Sequence, residues 1–460
     1  MSAALLLAVG LAAQGPESKP PSPAPAATEA ITPTDGAEDR TLLAQVGRVA
    51  SQVESLRGRR FSSPPSASRV PAAVLDAAVQ GRAQRLLAAA RVAARGRAWA
   101  DLGLGSPETP ARLLLRIASD LPGIFVDPGA GKVLLGPGFL TDRDFAAENP
   151  DDPESVIFMA VGVRPDEPLL AHALVHLQER GSGIPPETTD RLLSRAAWSE
   201  GEANLLAIQL VFRSMGIGNE VFQSEVDPSR VLGGRLLGAS AAGLPAPERS
   251  LLDFVHQEGF AQAVLLFRKG GWTAVQEGSA SRTTTRDLLH PDRPRPAVAR
   301  AQPASPPVAD ISLADEDELG EQGVIALVST LTGKDDLALA AGDGWAGDSL
   351  QRWERPDGQG VTVWETSWGT EEDAEEFAYA LGRCVEDGLA GIRFEAVPPG
   401  TPHGLDASWQ AAGRVYRLSR TGRRAVVRVA AVDLDRLMDQ GTQPQKRDTP
   451  ESRSRIITKP

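Results

Sequence analysis

The sequence predicts an α+β protein: a mostly helical region with a small strand pair, then a smaller region that mixes helices and sheet. Three observations predict this. Apolar residues recur at helical spacing through much of residues 40–291. Short β-branched and aromatic runs, parted by Gly and Asp turns, fill much of residues 310–438. Between them, residues 292–309 carry Pro294, Pro296, Pro303, Pro306 and Pro307 and read as a linker.

The elements follow in order. Residues 1–13 hold an apolar run of the length of an export-signal core, closed by the small residues Ala12 and Ala13. No Lys or Arg precedes it. Export to the periplasm or beyond is the favoured expectation, and a cytoplasmic protein is expected if the run is not a signal. Gln14 stands where a lipid anchor requires Cys. Residues 14–39 are rich in Pro, Ala, Ser and Thr and are expected to form a disordered spacer. Leu42, Leu43, Val46, Val49, Val53 and Leu56 mark one face of a first helix. One long Ala/Arg helix is expected over 71–102, closed by Gly103, and another helix over 112–118. Residues 123–135 read as a hairpin turning at Pro128-Gly129. Helices resume over 167–180, 187–215 and 251–268, the last capped by Gly270-Gly271.

Past the linker, 318–331 reads as helix and 335–340, 349–353 and 360–368 as strands. Residues 371–387 form a helix with an acidic first turn, which suits the helix dipole. A last hairpin is expected at 414–419 and 424–432 around Thr421-Gly422, and a disordered tail over 439–460.

Composition narrows the function. There are 48 basic and 60 acidic residues, a net charge of −12, which argues against a nucleic-acid partner. The single cysteine, Cys384, rules out an internal disulfide, a Cys-based zinc finger and an iron–sulfur cluster, and reads as a small buried hydrophobe. No apolar run reaches the roughly 18 residues of a membrane span.

The chemistry gathers at histidine. Of five histidines, His172 and His176 lie four apart, so on a helix they share one face. This is the spacing of the His-Glu-x-x-His zinc motif. Here it reads His172-Ala173-Leu174-Val175-His176, with Ala173 where the motif places its general base. Further on stands Trp198-Ser199-Glu200-Gly201-Glu202-Ala203. Gly181, Gly183, Pro185 and Pro186 break the chain between, so the two helices can pack side by side. A carboxylate from the second helix would complete a His₂Glu site for one zinc ion. Glu200 is the first candidate and Glu202 the second.

At these residues the chain resembles a bacterial zincin-like family of neutral zinc metallopeptidases. Its members carry His-Glu-Leu-Thr-His-Ala-Leu-Gln, then Glu-Gly-Glu-Ala on the next helix. Further landmarks occur in the same order: Leu56-Arg57-Gly58, Leu102-Gly103-Leu104, Gly123-Ile124-Phe125-Val126-Asp127-Pro128, Gly270-Gly271-Trp272, and Thr284-Thr285 through Leu289-His290-Pro291. Gly344-Trp345-Ala346-Gly347-Asp348 and Trp368 through Phe377 follow. The resemblance implies a zincin-like domain over 40–291 and a zinc ion on His172, His176 and Glu200. There are two departures. Ala173 replaces the Glu, and Leu-Gln-Glu follows His176 where the family has Ala-Leu-Gln.

Losing a general base costs about 10²–10⁴ in rate. Metal affinity depends mainly on the ligands themselves. The expectation is therefore a non-catalytic metallopeptidase-like protein that keeps a zinc site and holds a peptide or protein partner in its cleft. One alternative is an active zinc metallopeptidase with a non-standard base, for which Glu179 and Glu202 are the nearest stand-ins. Another is a metal-free interaction protein acting through its second region, with Trp345, Trp364, Trp368 and Trp409. His256 and His403 read as ordinary, partly exposed histidines and His290 as a structural loop residue. Residues 342–347, with Asp343 and Asp348 alongside, read as a turn rather than an ion site.

Overall fold

The computed structural model describes residues 36–119, 121, 123–140, 166–178, 188–223, 243–281, 283–296, 310–388, 404–411 and 413–435. The export run, the spacer up to residue 35, linker residues 297–309, the tail, Glu179 and His403 lie outside the described residues.

Helix α1 (Gly36–Arg57) buries Leu42, Val46, Val49 and Val53 of the expected stripe, with Leu56 half-buried, while Leu43 is exposed. The long helix expected next is two: α2 (Ala72–Leu86) and α3 (Ala89–Leu102). Leu87 (φ −154°, ψ 133°) and Ala88 (φ −60°, ψ 141°) are extended and break it. The break seats Leu87 among Ala83, Leu114, Ala118 and Leu192, so tertiary packing overrides helix propensity here. Helix α4 (Thr109–Ser119) leads to the predicted hairpin of β2 (Ile124–Asp127) and β3 (Lys132–Leu135). Asp127 Oδ1 accepts the N–H groups of Gly129 and Ala130, each at 3.1 Å, and fixes its turn. Strand β1 (Ser66–Arg69), whose Ser-Ala-Ser-Arg has no strand pattern, pairs in parallel with β3.

Helices α5 (Asp166–Gln178), α6 (Thr189–Ser214), α7 (Ala246–Ser281) and α8 (Thr285–Leu289) complete the first region. Gly270-Gly271 ends the first part of α7, as expected: Gly270 (φ −163°, ψ 24°) and Gly271 (φ 64°, ψ −155°) are non-helical, and a second helical stretch starts directly after them. No helix among the described residues is long and apolar enough to cross a membrane.

The second region contains β4 (Ser312–Asp317), α9 (Gly320–Thr332), α10 (Asp335–Gly342), β5 (Trp345–Glu354) and β6 (Gly360–Trp368). It continues with α11 (Glu371–Gly388), β7 (Gly404–Ala411), β8 (Arg414–Thr421) and β9 (Arg424–Ala431). The six strands form one antiparallel sheet in the order β4-β5-β6-β9-β8-β7. The fold is α+β, as expected. The strand expected at 335–340 is helix α10, however. Its Leu/Ala alternation mimics a period of two, while Asp335 and Asp336 supply a favourable acidic first turn.

One hydrophobic core runs through both regions. Trp99, Leu104, Trp198 and Phe260 share a cluster with Leu319, Val324, Trp364 and Phe377. Trp345, Trp364, Trp368 and Trp409 are all buried, so they do not form the exposed aromatic surface that an interaction sheet would need. Asp348 is likewise used up structurally. It accepts N–H from the Leu319 and Gly320 backbone and from the Trp345 and Trp364 indoles, at 2.9–3.1 Å. Cys384 is buried, as predicted.

A second core joins α1, the hairpin and α5 to Ala203, Leu206 and Leu210 of α6. Helix α6 therefore lies between the two cores, with Leu193, Ala197 and Leu205 turned to the first. Its N-terminus is tied to the sheet. Asp317 on β4 accepts the Thr189 N–H and hydroxyl, both at 2.7 Å, and Glu318 O accepts the Asp190 N–H at 2.8 Å.

Candidate metal centre

The four-residue spacing on α5 does what helix geometry requires. His172 and His176 stand one turn apart with their Nε2 atoms 2.9 Å from each other. Glu200 comes from α6, which packs beside α5. Its Oε2 is 3.2 Å from His172 Nε2 and its Oε1 3.4 Å from His176 Nε2. All three residues are buried, at 0%, 6% and 5% exposure. Their donor atoms lie within 4.8 Å of one another, the sole group of this kind among the described residues. The structure thus brings together the three residues that the sequence named, and the group could hold a metal ion.

The electrostatics favour a cation. Burial works to raise the Glu200 carboxyl, but the His172 and His176 imidazoles that face it hold it well below its ordinary value. His172 Nδ1 and Glu200 Oε2 are buried without a hydrogen-bond partner. Unsatisfied buried polar atoms cost about 1–3 kcal/mol each. A bound cation would take up the Glu200 charge. Ser199 Oγ lies 2.9 Å from His176 Nδ1. A proton held on Nδ1 leaves the Nε2 lone pair free toward the centre.

Glu202, the second candidate, belongs elsewhere. It forms a buried ion pair with Arg57 and accepts the Trp198 indole N–H at 2.8 Å. Arg57 also donates to Gln178 Oε1 at 3.0 Å and lies over the Trp272 ring at 5.5 Å from its centroid. Arg57 and Trp272, two of the landmark residues, thus brace the helices around the centre. His290 is structural, as expected, with Nε2 2.6 Å from Glu321 Oε1. Ala173 is fully buried and lies in the apolar core with Leu170, Leu174 and Val133.

One residue at the centre escaped the sequence reading. His256 on α7 places Nδ1 3.6 Å from Glu200 Oε2. Nothing local marks it. The pairing depends on how α7 crosses α6, where Gly201 and Gly259 bring the two backbones together. A glycine beside each of two polar residues is the only trace of that in the sequence.

A family model described as a domain of unknown function (DUF8575) matches residues 310–439, which makes the second region similar to that family. The metal centre lies wholly outside the matched residues. No curated protein and no solved structure matches the chain.

Proposed function

We propose that the protein is a non-catalytic, metallopeptidase-like protein that holds one zinc ion on His172, His176 and Glu200 and binds a peptide or protein partner beside it. The observation that carries this reading is the convergence of three buried donors next to Ala173, a residue with no group to move a proton. Two imidazole nitrogens and one carboxylate are a zinc donor set. When bound, the ion supplies Lewis-acid polarisation. The chain's own residues do the rest: Ser199 orients His176, and Glu200 brings a negative charge to the pair of imidazoles. Without a base at position 173, proteolysis loses about 10²–10⁴ in rate.

The order of landmarks shared with zincin-like metallopeptidases supports the peptidase-like frame. A cavity of about 200 Å³ at the C-terminal end of α5, lined by Arg59, Arg60, Phe61, Leu177 and Gln178, supports the partner. Its cationic groups, Arg59 and Arg60, follow α1, and Leu177 and Gln178 come from the end of the helix that carries both histidines. The apolar run at residues 3–13 supports export.

The test is metal content, by elemental mass spectrometry on untagged protein. About one zinc per chain, absent from a His172→Ala/His176→Ala double variant, is the expected result. No zinc in the wild type after zinc is offered overturns the metal reading. Casein cleavage that disappears in His176→Ala overturns the non-catalytic one.

A further inference from the structure

We infer that His256 is a fourth side chain of the metal centre, a positioning residue that holds Glu200 through a hydrogen bond from its Nδ1–H to Oε2. The inference rests on the metal reading above and extends it to α7, a helix that the motif does not include.

Three observations carry it. First, His256 Nδ1 and Glu200 Oε2 face each other at 3.6 Å, and each is buried with no hydrogen-bond partner. At this distance the two atoms are not hydrogen-bonded, since an N–H···O bond spans about 2.7–3.2 Å, so the inferred bond forms by a small movement of either side chain. Second, the chemistry of the pair has one solution. An ionised carboxylate only accepts, so the proton of the contact belongs to the imidazole. Third, the backbone is built for the approach. Gly201 follows Glu200 directly and Gly259 lies one helical turn beyond His256. A Cβ on either glycine would run into the backbone of the opposing helix. The close crossing therefore delivers His256 to Glu200.

His256 acts on the centre from outside the ligand group. Its Nδ1 is not among the donor atoms that all lie within 4.8 Å of one another. A carboxylate gripped on one oxygen is fixed in orientation. Partners of this kind typically change metal affinity by about 10–100-fold when removed. With Ser199 behind His176, two of the three ligands then have a supporting hydrogen bond.

The test is cobalt(II) titration of the full chain, followed by visible absorption, with circular dichroism to check folding. The wild type is expected to bind one Co²⁺. His256→Phe keeps the bulk but lacks the donor, and is expected to bind about 10–100-fold more weakly with band positions unchanged. His256→Asn offers an amide N–H in place of Nδ1–H and is expected to return affinity close to that of the wild type. Unchanged affinity in His256→Phe overturns the inference. So does an Asn variant as weak as the Phe variant with an altered spectrum, which marks a lost ligand. A wild type that takes up no Co²⁺ overturns the metal reading itself. Should His256→Phe fail to fold, the Asn variant still decides between a donor and a ligand.

Discussion

Gly201 and Gly259 touch backbone to backbone where α6 crosses α7. A Cβ on Gly201 would land on the Gly259 carbonyl oxygen, and one on Gly259 on the Ala197 carbonyl oxygen. Both obstacles are backbone atoms, which cannot swing aside as a side chain would. The helices must separate to admit even one methyl group. Gly201→Ala and Gly259→Ala are each expected to cost about 1–3 kcal/mol in urea unfolding. Each should also weaken metal binding, because the same crossing sets the Glu200–His256 distance.

Glu200 and Glu202 are expected to separate cleanly by experiment. Glu200→Gln removes a ligand, so zinc content should fall to background. Glu202→Gln leaves Arg57 buried without its counter-charge, and losing one partner of a buried pair costs about 3–5 kcal/mol. The expected outcome is a protein that melts early yet still carries zinc. Elemental analysis and thermal melts on both variants check this, and zinc lost from Glu202→Gln while it remains folded would contradict the assignment.

Ala173→Glu restores the motif in letters only. The Ala173 side chain lies at 0% exposure in an apolar cluster, where a carboxylate finds no partner. The variant is expected to lose about 2–4 kcal/mol of stability, the range of other severe core changes, and to gain no turnover of casein. Chelator-sensitive cleavage by Ala173→Glu would show that this buried position tolerates a working base.

The join between the two regions should weaken in acid. Glu354 on β5 pairs with Arg97 of α3 at 2.5 Å and with Arg352 at 2.8 Å. Burial works to raise its carboxyl, but Arg97 and Arg352 bring it below the ordinary value. A carboxyl lowered by folding contributes stability above its unfolded pKa and loses it as the pH falls through its folded one. Melting temperatures of the wild type and Glu354→Gln should therefore differ at pH 7 and converge as the pH drops below the usual Glu range. A gap that stays constant down to pH 3 would count against this.

The triad was legible because its signals are local. Spacing on one helix and breakers before the next suffice to align His172, His176 and Glu200. What escaped was long-range. His256 joins through a helix crossing that no local period encodes. Strand β4 carries no strand signal in the sequence, since Ser-Leu-Ala-Asp-Glu-Asp has no apolar face. It is a strand because Arg91 and Arg95 of α3 meet Asp315 at 2.8 and 2.9 Å, and Thr189 meets Asp317. Asp101 likewise pairs with Arg352 at 2.6 Å, across most of the chain. The prolines of residues 292–309 read as a break in the chain, but they say nothing of whether the flanking cores are separate.

The segment shared as a family, residues 310–439, is smaller than the unit that folds. Leu319, Val324 and Trp345 find their apolar neighbours among helices encoded before residue 290. A gene carrying only that segment would present this face to water. The residues that a family model recognises and the residues that share a core are therefore different sets, and the second spans the longer stretch of chain.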